Sequence, residues 1–269
     1  MTDVGAARAD GEDAFGHDGV LTDVRTAVRF TVDVEGDWAG RGTRGIDEVL
    51  PRLIELLDAH GSRATFFVVG DLAERVRPHL SPGGPHEVGS HSLTHPVLTR
   101  IEPREVQREV VGSRTALEAL GYEVMGFRAP FFARPDGLGS VLADAGYAYD
   151  ASVGSVLPFR RARPGPCEPL PAIPPGHLRD GRSPFALTTL RILHPAGRHL
   201  VGAKPDTFTC HLHELLVDPP GWTALPPGLR GLHRRGHGAV AWRVLEQLLG
   251  REDLRFTSCR DHPDAPEAA

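Results

Sequence analysis

Two histidines four residues apart are the strongest chemical feature of this sequence. His91 and His95 lie in the segment HEVGSHSLTHP, which runs from His86 to Pro96. On a helical turn, side chains at this spacing share one face, so both imidazoles could bind one metal ion. A catalytic zinc usually takes three protein ligands and leaves one position for water. We therefore expect a third ligand elsewhere, and the segment TVDVE at residues 31–35 offers carboxylates.

The second group of candidate residues ends a predicted strand. Residues 27–35 read AVRFTVDVE, in which Asp33 and Glu35 point to the same side because side chains alternate along a strand. Two carboxylates on one face are costly unless a cation lies between them. The alternative is a strand that simply runs out into solvent.

Alternating strands and helices must position these residues. The predicted strands cover residues 27–35, 64–70, 88–90, 124–128, 147–152, 207–211 and 254–258. The predicted helices cover residues 46–59, 71–77, 102–120, 136–145, 187–193 and 237–249. This alternation predicts an α/β fold with a parallel sheet.

Four of these strands end in reactive residues. They are Asp33 with Glu35, His91 with His95, Arg128, and His211 with Glu214. Open α/β folds and β/α barrels place their chemistry at the carboxyl ends of the strands. The pattern therefore predicts one shared site.

The composition of the chain argues against several classes of protein. The chain has 269 residues, 40% hydrophobic and 24% charged, which suits one β/α domain of barrel size. A net charge of −5 predicts no general basic surface for nucleic acid. The three cysteines are far apart and predict neither a disulfide framework nor a CxxC metal pair. We find no signal peptide and no membrane-spanning run, and expect a cytoplasmic protein.

One domain is predicted between two tails. Residues 1–22 and 261–269 are small, polar and aperiodic, which is typical of disordered tails, so the domain covers residues 23–260. Residues 157–184 are rich in proline and arginine and predict an ordered loop over the site.

Together, the motifs resemble the polysaccharide deacetylase family, also called NodB-homology proteins or carbohydrate esterase family 4. The matching pieces are TVDVE, HSLTH, RAPFF, the YDAS stretch at 149–152 and the HLHE stretch at 211–214. The D-x-E form of the first motif is similar to that of a bacterial subgroup with peptidoglycan and exopolysaccharide deacetylases. The resemblance implies an irregular (β/α) barrel of about seven strands over residues 26–260. It also implies one divalent metal ion, zinc first, with cobalt, nickel or manganese as alternatives.

The resemblance further implies a metal site and a base. Asp33 would be the general base, and Glu35, His91 and His95 would hold the metal. Because related sequences carry adjacent aspartates in this motif, Asp33 or Asp37 could take the place of Glu35 as the ligand.

The remaining roles fall on later motifs. Arg128 would keep the base ionised, and Phe131 would donate its backbone N–H to the oxyanion. His211 would be the general acid, with Glu214 as its orienting partner. His213 is a rival to His211, because relatives often read HPWE where this chain reads HLHE.

The activity implied is hydrolysis of a linear amide. A metal-dependent de-N-acetylase would release acetate from an N-acetylated amino sugar or from a glycosylated or nucleotide-linked small-molecule intermediate. Trp38 could stack on a sugar ring or serve in packing. We expect a small-molecule amino-sugar-type substrate, no nucleic acid and no membrane, and the sequence gives no oligomeric state. The alternatives are an amide or cyclic ureide hydrolase similar to allantoinase, and a carbohydrate-binding relative without catalysis.

Overall fold

A sheet of seven parallel strands forms the centre of the computed structural model, which describes residues 24–37, 42–153, 169–202, 205–218 and 227–265. The strands are Thr26–Val34 (β1), Thr65–Val68 (β2), Glu87–Ser90 (β3), Gly126–Phe127 (β4), Tyr149–Asp150 (β5), Thr207–His211 (β6) and Leu254–Thr257 (β7). Their order is β5-β4-β3-β2-β1-β6, and β7 pairs with β1. The parallel sheet expected from the strand–helix alternation is confirmed.

Strand β1 is the most connected element, since it pairs with β2, β6 and β7. Its side chains alternate between the two faces of the sheet, as the sequence predicts for residues 27–35. Phe30, Val32 and Val34 are fully buried in the main hydrophobic core. Thr31 and Asp33 face the opposite side, where they contact the polar groups of the candidate site.

Seven helices cover the sheet within the described residues. They are Leu50–Ala59 (α1), Ala73–Val76 (α2), Pro103–Glu118 (α3), Leu138–Asp144 (α4), Leu187–Ile192 (α5), Pro227–Arg234 (α6) and Ala239–Leu249 (α7). The predicted helix at 46–59 exists, but its first turn, Gly45–Val49, is a π-helix. Helix α6 was not predicted from the sequence. No described helix is both long and apolar enough to cross a membrane.

The proline-rich connection joins the two outer strands of the sheet. Ala172 forms a parallel bridge with Asp150 of β5, and Ala186 forms one with Thr209 of β6. Irregular backbone at residues 171–186 thus takes the place of further regular strands and completes the curvature of an irregular barrel. Residues 154–168, which include part of the predicted loop, lie outside the described residues.

The two ends of the chain differ in what the structure describes. The predicted tail at 1–22 lies outside the described residues. At the other end, residues 261–265 of the predicted tail are described. His262 is buried, and its Nε2 lies 3.4 Å from the carbonyl oxygen of Ala27 on β1. Ordered contacts with the sheet therefore continue beyond residue 260.

Candidate active and metal-binding site

Glu35, His91 and His95 meet beyond the carboxyl ends of β1 and β3. One ligand atom from each of them lies within 4.8 Å of the other two. Nε2 of His91 is 3.9 Å from Oε2 of Glu35, and Nε2 of His95 contacts the same oxygen directly. Two imidazoles and one carboxylate in this arrangement are a donor set that zinc and related divalent ions accept.

The hydrogen bonding of His91 suits a metal ligand. Its Nδ1 lies 2.7 Å from the carbonyl oxygen of Arg128. Because a carbonyl oxygen can only accept, Nδ1 carries the proton, and the lone pair of Nε2 faces Glu35. Burial lowers the pKa of His91 to about 4, so the ring is neutral at physiological pH. Metal-binding histidines usually make such a bond through their second nitrogen, so these residues fit a divalent cation.

The carboxylate of Glu35 is ionised. Burial alone would raise its pKa, but the hydrogen bond to His95 and the charges of the surrounding histidines lower it well below the usual range. Its second oxygen, Oε1, lies 4.0 Å from Nδ1 of His213.

The loop that carries the two histidines is not helical, although their spacing would suit a helical turn. Ser92 and His95 have φ angles of 64° and 65°, in the left-handed region. Oγ of Ser92 accepts the N–H of His95 at 3.0 Å. Thr94 donates its N–H and its hydroxyl to Glu109 on α3, at 2.7 and 2.8 Å. These side-chain acceptors replace helical backbone bonds, so a tight turn brings the two imidazoles together.

Beside this group, Asp33 forms a buried ion pair with Arg128. Nη1 of Arg128 is 2.7 Å from Oδ1 of Asp33 and 3.0 Å from Oγ1 of Thr31. Nε of the same guanidinium donates to the carbonyl of Ala151 at 3.3 Å, and its carbon lies 4.2 Å from the Phe67 ring centroid. Burial raises the pKa of Asp33, but the charge of Arg128, together with the neighbouring His91 and His211 and the hydrogen bond from Arg128, outweighs burial and holds that pKa below its usual value.

His211, at the end of β6, lies between two carboxylates. Its Nε2 is 3.5 Å from Oδ2 of Asp33, and its Nδ1 is 3.6 Å from Oε2 of Glu214. Burial lowers the pKa of His211, but the hydrogen bond to Glu214 and the charges of Asp33 and Glu35 raise it to about 9. The imidazole is therefore protonated at neutral pH in the metal-free chain.

Helix α5 fixes Glu214. Oε1 of Glu214 accepts hydrogen bonds from Nε of Arg191 at 2.9 Å and from Oγ1 of Thr188 at 2.5 Å. Oε2 accepts the backbone N–H of His211 at 3.0 Å. Arg191 and Glu214 are both almost fully buried, so this carboxylate has one fixed orientation.

The geometry bears on the two alternatives left open by the sequence. Burial, with the charge of His211 beside it, lowers the pKa of His213 to about 4, so His213 is a neutral imidazole and not an imidazolium acid at neutral pH. Asp37 accepts the N–H groups of Arg44 and Gly45, at 2.9 and 2.8 Å, and so caps the π-helical turn before α1. The arrangement thus favours His211 as the acid and Glu35 as the ligand, and both roles stay predictions.

Phe131 follows β4 at the mouth of the site. Its φ angle is 59°, and its ring is 64% exposed with its centroid 4.9 Å from that of His95. Phe132 is also left-handed, with φ of 53°. Trp38, the other predicted substrate contact, lies outside the described residues.

Asp150 of β5 secures both ends of the Phe131 loop. Oδ2 of Asp150 accepts Nε of Arg134 at 2.8 Å, and Oδ1 accepts the N–H of Ser152 at 2.8 Å. Oγ of Ser152 in turn accepts the N–H of Ala129 at 2.8 Å. Two consecutive left-handed residues persist only where surrounding contacts impose them, and these bonds do so.

Comparison with known proteins indicates a related family. Residues 30–149 match the family model described as polysaccharide deacetylase. This segment, from β1 to β5, is similar to the polysaccharide deacetylase family. The chain is 35% identical over 147 residues to a chitooligosaccharide deacetylase of Bradyrhizobium sp. (strain ANU 289), a match that covers 50% of this chain and 65% of the relative. It is 34% identical over 88 residues to the peptidoglycan-N-acetylglucosamine deacetylase PgdA of Listeria monocytogenes, covering 31% of this chain and 18% of the relative. The chain thus covers less than two thirds of either curated relative.

Solved structures confirm the fold of this chain. Peptidoglycan deacetylase PdaC from Bacillus subtilis superposes with a TM-score of 0.52 at 14% identity, covering 88% of this chain and 90% of the other. A family 4 carbohydrate esterase from Streptomyces lividans gives a TM-score of 0.50 at 17% identity, covering 90% and 98%. The likeness concerns the fold alone, and it confirms the irregular, NodB-like (β/α) barrel.

Sequence reasoning missed two buried charges that support the site. Glu109 lies on the core-facing side of α3, three residues after Val106 and next to Val110. Arg191 lies four residues after Leu187 on the buried side of α5. A charged residue at an apolar position of an amphipathic helix is a detectable signal, because such residues are buried only when they are paired or hydrogen-bonded.

Proposed function

We propose that this protein is a metal-dependent de-N-acetylase that hydrolyses the acetamide of an N-acetylated amino sugar and releases acetate. One observation carries the proposal. A two-histidine, one-carboxylate group, an Asp33–Arg128 pair and a His211–Glu214 pair lie together at one end of the sheet. These are the three components that hydrolysis of an unactivated amide requires: a site for a cation, a base and an acid. The similarity of residues 30–149 to the polysaccharide deacetylase family supports the same reaction.

Glu35, His91 and His95 would hold the cation, with zinc first and cobalt, nickel or manganese as alternatives. When bound, the cation supplies Lewis-acid chemistry, since it polarises the acetamide carbonyl and makes water a better nucleophile at neutral pH. The tautomer of His91, fixed by the carbonyl of Arg128, supports this role.

Asp33 is the general base of the proposed reaction. Its Oδ1 is engaged by Arg128, and its Oδ2, which faces Nε2 of His211 at 3.5 Å, is the oxygen that accepts a proton from the attacking water. The guanidinium helps to keep the carboxylate ionised, because its charge and hydrogen bond, together with the neighbouring histidines, hold the pKa of Asp33 below its usual value against the effect of burial.

His211 is the general acid. It is charged at neutral pH in the metal-free chain, and Glu214 fixes its orientation from the side opposite Asp33. Transfer of its Nε2 proton to the amine nitrogen converts a poor leaving group into a neutral amine. The backbone N–H of Phe131 donates to the oxyanion, in a loop that is already held in its left-handed conformation.

An amino sugar is the substrate class that the relatives support. Two relatives are named for the deacetylation of chitooligosaccharides and of peptidoglycan N-acetylglucosamine. For this chain we propose an N-acetylated amino sugar, free or as part of a glycosylated or nucleotide-linked intermediate. The exposed ring of Phe131 beside His95 offers an apolar surface for the acetyl group or the sugar. The cytoplasmic location expected from the sequence stays a prediction.

Acetate release tests the proposal. The purified protein is incubated with N-acetylhexosamines, their nucleotide-linked forms, chitooligosaccharides and a cyclic ureide, each with and without a chelator. We expect acetate from at least one amino-sugar derivative, loss of activity with chelator, and recovery on addition of zinc or cobalt. Asp33→Asn serves as the inactive control. Hydrolysis of the ureide alone, or turnover that survives in both chelator and Asp33→Asn, would refute the proposal.

A further inference from the structure

Glu109 is a buried carboxylate that the proposed reaction does not use. It is 2% exposed on the inner face of α3, between core positions such as Val106 and Val110. Within the part of the chain that the structure describes, no cationic side chain forms an ion pair with it. Among these residues, its hydrogen-bond partners are the N–H and the hydroxyl of Thr94, at 2.7 and 2.8 Å. A buried carboxylate needs such bonds, so this contact is strongly maintained.

Thr94 lies in the turn between the two histidines of the candidate metal site. The turn contains two left-handed residues, Ser92 and His95, which are both L-amino acids with a side chain. Such residues adopt this conformation only where neighbouring contacts impose it. Ser92 holds the N–H of His95 from inside the turn, and Glu109 holds Thr94 from the helix. The direction of the His95 imidazole therefore depends on several anchors of the turn, of which Glu109 is the one on helix α3.

We propose that Glu109 is a positioning residue for the metal site. By binding both polar groups of Thr94, it fixes the turn so that Nε2 of His95 faces Glu35. The inference rests on the proposed cation at Glu35, His91 and His95, and it is independent of the substrate. Residues that orient metal ligands from behind typically change metal affinity by about 10- to 100-fold when they are replaced.

Metal titration of three variants tests this role. Metal-free protein is titrated with ZnCl₂ against a competing chelator of known affinity. Glu109→Leu removes both acceptors, and we expect its zinc dissociation constant to rise by about 10- to 100-fold. Glu109→Gln can accept the Thr94 N–H and donate to its hydroxyl oxygen, so we expect affinity close to wild type. Val110→Ala is the matched control, because it weakens the same helix without touching the turn, and its zinc affinity should be unchanged.

A cobalt spectrum adds a readout of ligand geometry. CoCl₂ is added to the wild type and to each variant, and the visible absorption bands are compared. We expect altered bands in Glu109→Leu and wild-type bands in Glu109→Gln and Val110→Ala. A folded Glu109→Leu with wild-type zinc affinity and wild-type bands would overturn the inference, as would a Glu109→Gln that loses affinity as strongly as Glu109→Leu.

Two further results separate the possible failures. If Glu109→Leu does not fold, Thr94→Val decides, since it loses the hydroxyl bond and keeps the N–H bond. We expect weaker zinc binding in Thr94→Val, and wild-type affinity would then refute the role of Glu109. If the wild type itself binds neither zinc nor cobalt, the proposed metal site fails, and the inference falls with it.

Discussion

Arg128 and Asp33 form a buried ion pair, with Nη1 of Arg128 2.7 Å from Oδ1 of Asp33 and neither side chain more than 2% exposed. The backbone carbonyl of Arg128 also accepts the Nδ1–H of His91. One residue therefore contacts the proposed base through its side chain and a proposed metal ligand through its main chain.

Removal of one partner of the pair should destabilise the protein strongly. Arg128→Met leaves the Asp33 carboxylate buried without its counter-charge, and we expect a loss of about 3–5 kcal/mol in the free energy of unfolding. Arg128→Met combined with Asp33→Asn removes both charges and should recover much of that loss. Urea unfolding of the two single variants and the double variant measures the effect. Additive losses in the double variant would contradict a direct interaction.

Asp33→Asn should abolish turnover without releasing metal. The amide cannot accept a proton from water, and loss of a general base lowers kcat by about 10²–10⁴-fold. Because Asp33 is not one of the three clustered ligands, metal content should stay at the wild-type level. The measurements are kcat and metal per protein. Wild-type kcat in this variant would rule out Asp33 as the base.

Glu35→Gln and Asp37→Asn should separate the two rival carboxylates. Glu35→Gln removes the charge that His95 contacts, so we expect loss of tightly bound metal. Asp37→Asn weakens only a helix cap, with an expected loss of about 0.5–2 kcal/mol in stability and no loss of metal. Elemental analysis after gel filtration checks both. Metal lost from Asp37→Asn and kept in Glu35→Gln would transfer the ligand role to Asp37.

His211 should make the metal-free protein less stable at alkaline pH. Its pKa rises from an ordinary value of 6.5 to about 9 in the folded chain, so the folded state binds this proton more tightly than the unfolded state. The stabilising contribution is complete below pH 6.5 and is lost as the pH rises through about 9. Wild type should lose on the order of 2 kcal/mol more than His211→Gln over this range.

Urea unfolding in the presence of a chelator, at steps between pH 6 and 9.5, measures this difference. His213→Gln is the matched control. Because the pKa of His213 is lowered to about 4, its own contribution changes only below pH 6.5. Parallel stability curves for wild type and His211→Gln would show that His211 does not carry the raised pKa.

The strand ends that carry the site residues could be predicted from the sequence, because the end of a strand is a local feature. The alternation TVDVE fixed the side to which Asp33 and Glu35 point, and β6 has the predicted bounds, Thr207–His211. Parallel pairing then brings these ends together, as the ion pair between His211 and Asp33 shows. Helical and strand periodicity carried this information without any tertiary contact.

Tertiary contacts determined the features that the sequence did not predict. The spacing of His91 and His95 suited a helix, but Glu109 and Ser92 hold the segment as a turn. Strands β4 and β5 are only two residues long, shorter than predicted. At Gly126 of β4, a Cβ would lie 2.0 Å from the ring of Tyr149. Close packing, and not strand propensity, therefore determined the structure of β4 and β5.

Strand β1 pairs with three other strands, and this pairing affects how fast its amide protons exchange with solvent. Asp33 is bonded into the interior of the sheet, between β2 and β6, and Glu35 follows one residue after the strand ends. Amide protons in such a central strand exchange with solvent mainly through global unfolding, whereas those of loops exchange through local fluctuations. We therefore expect Asp33 to lie in the slowest-exchanging part of the protein, while Phe131 and the histidine turn belong to loops whose conformation depends on side-chain hydrogen bonds.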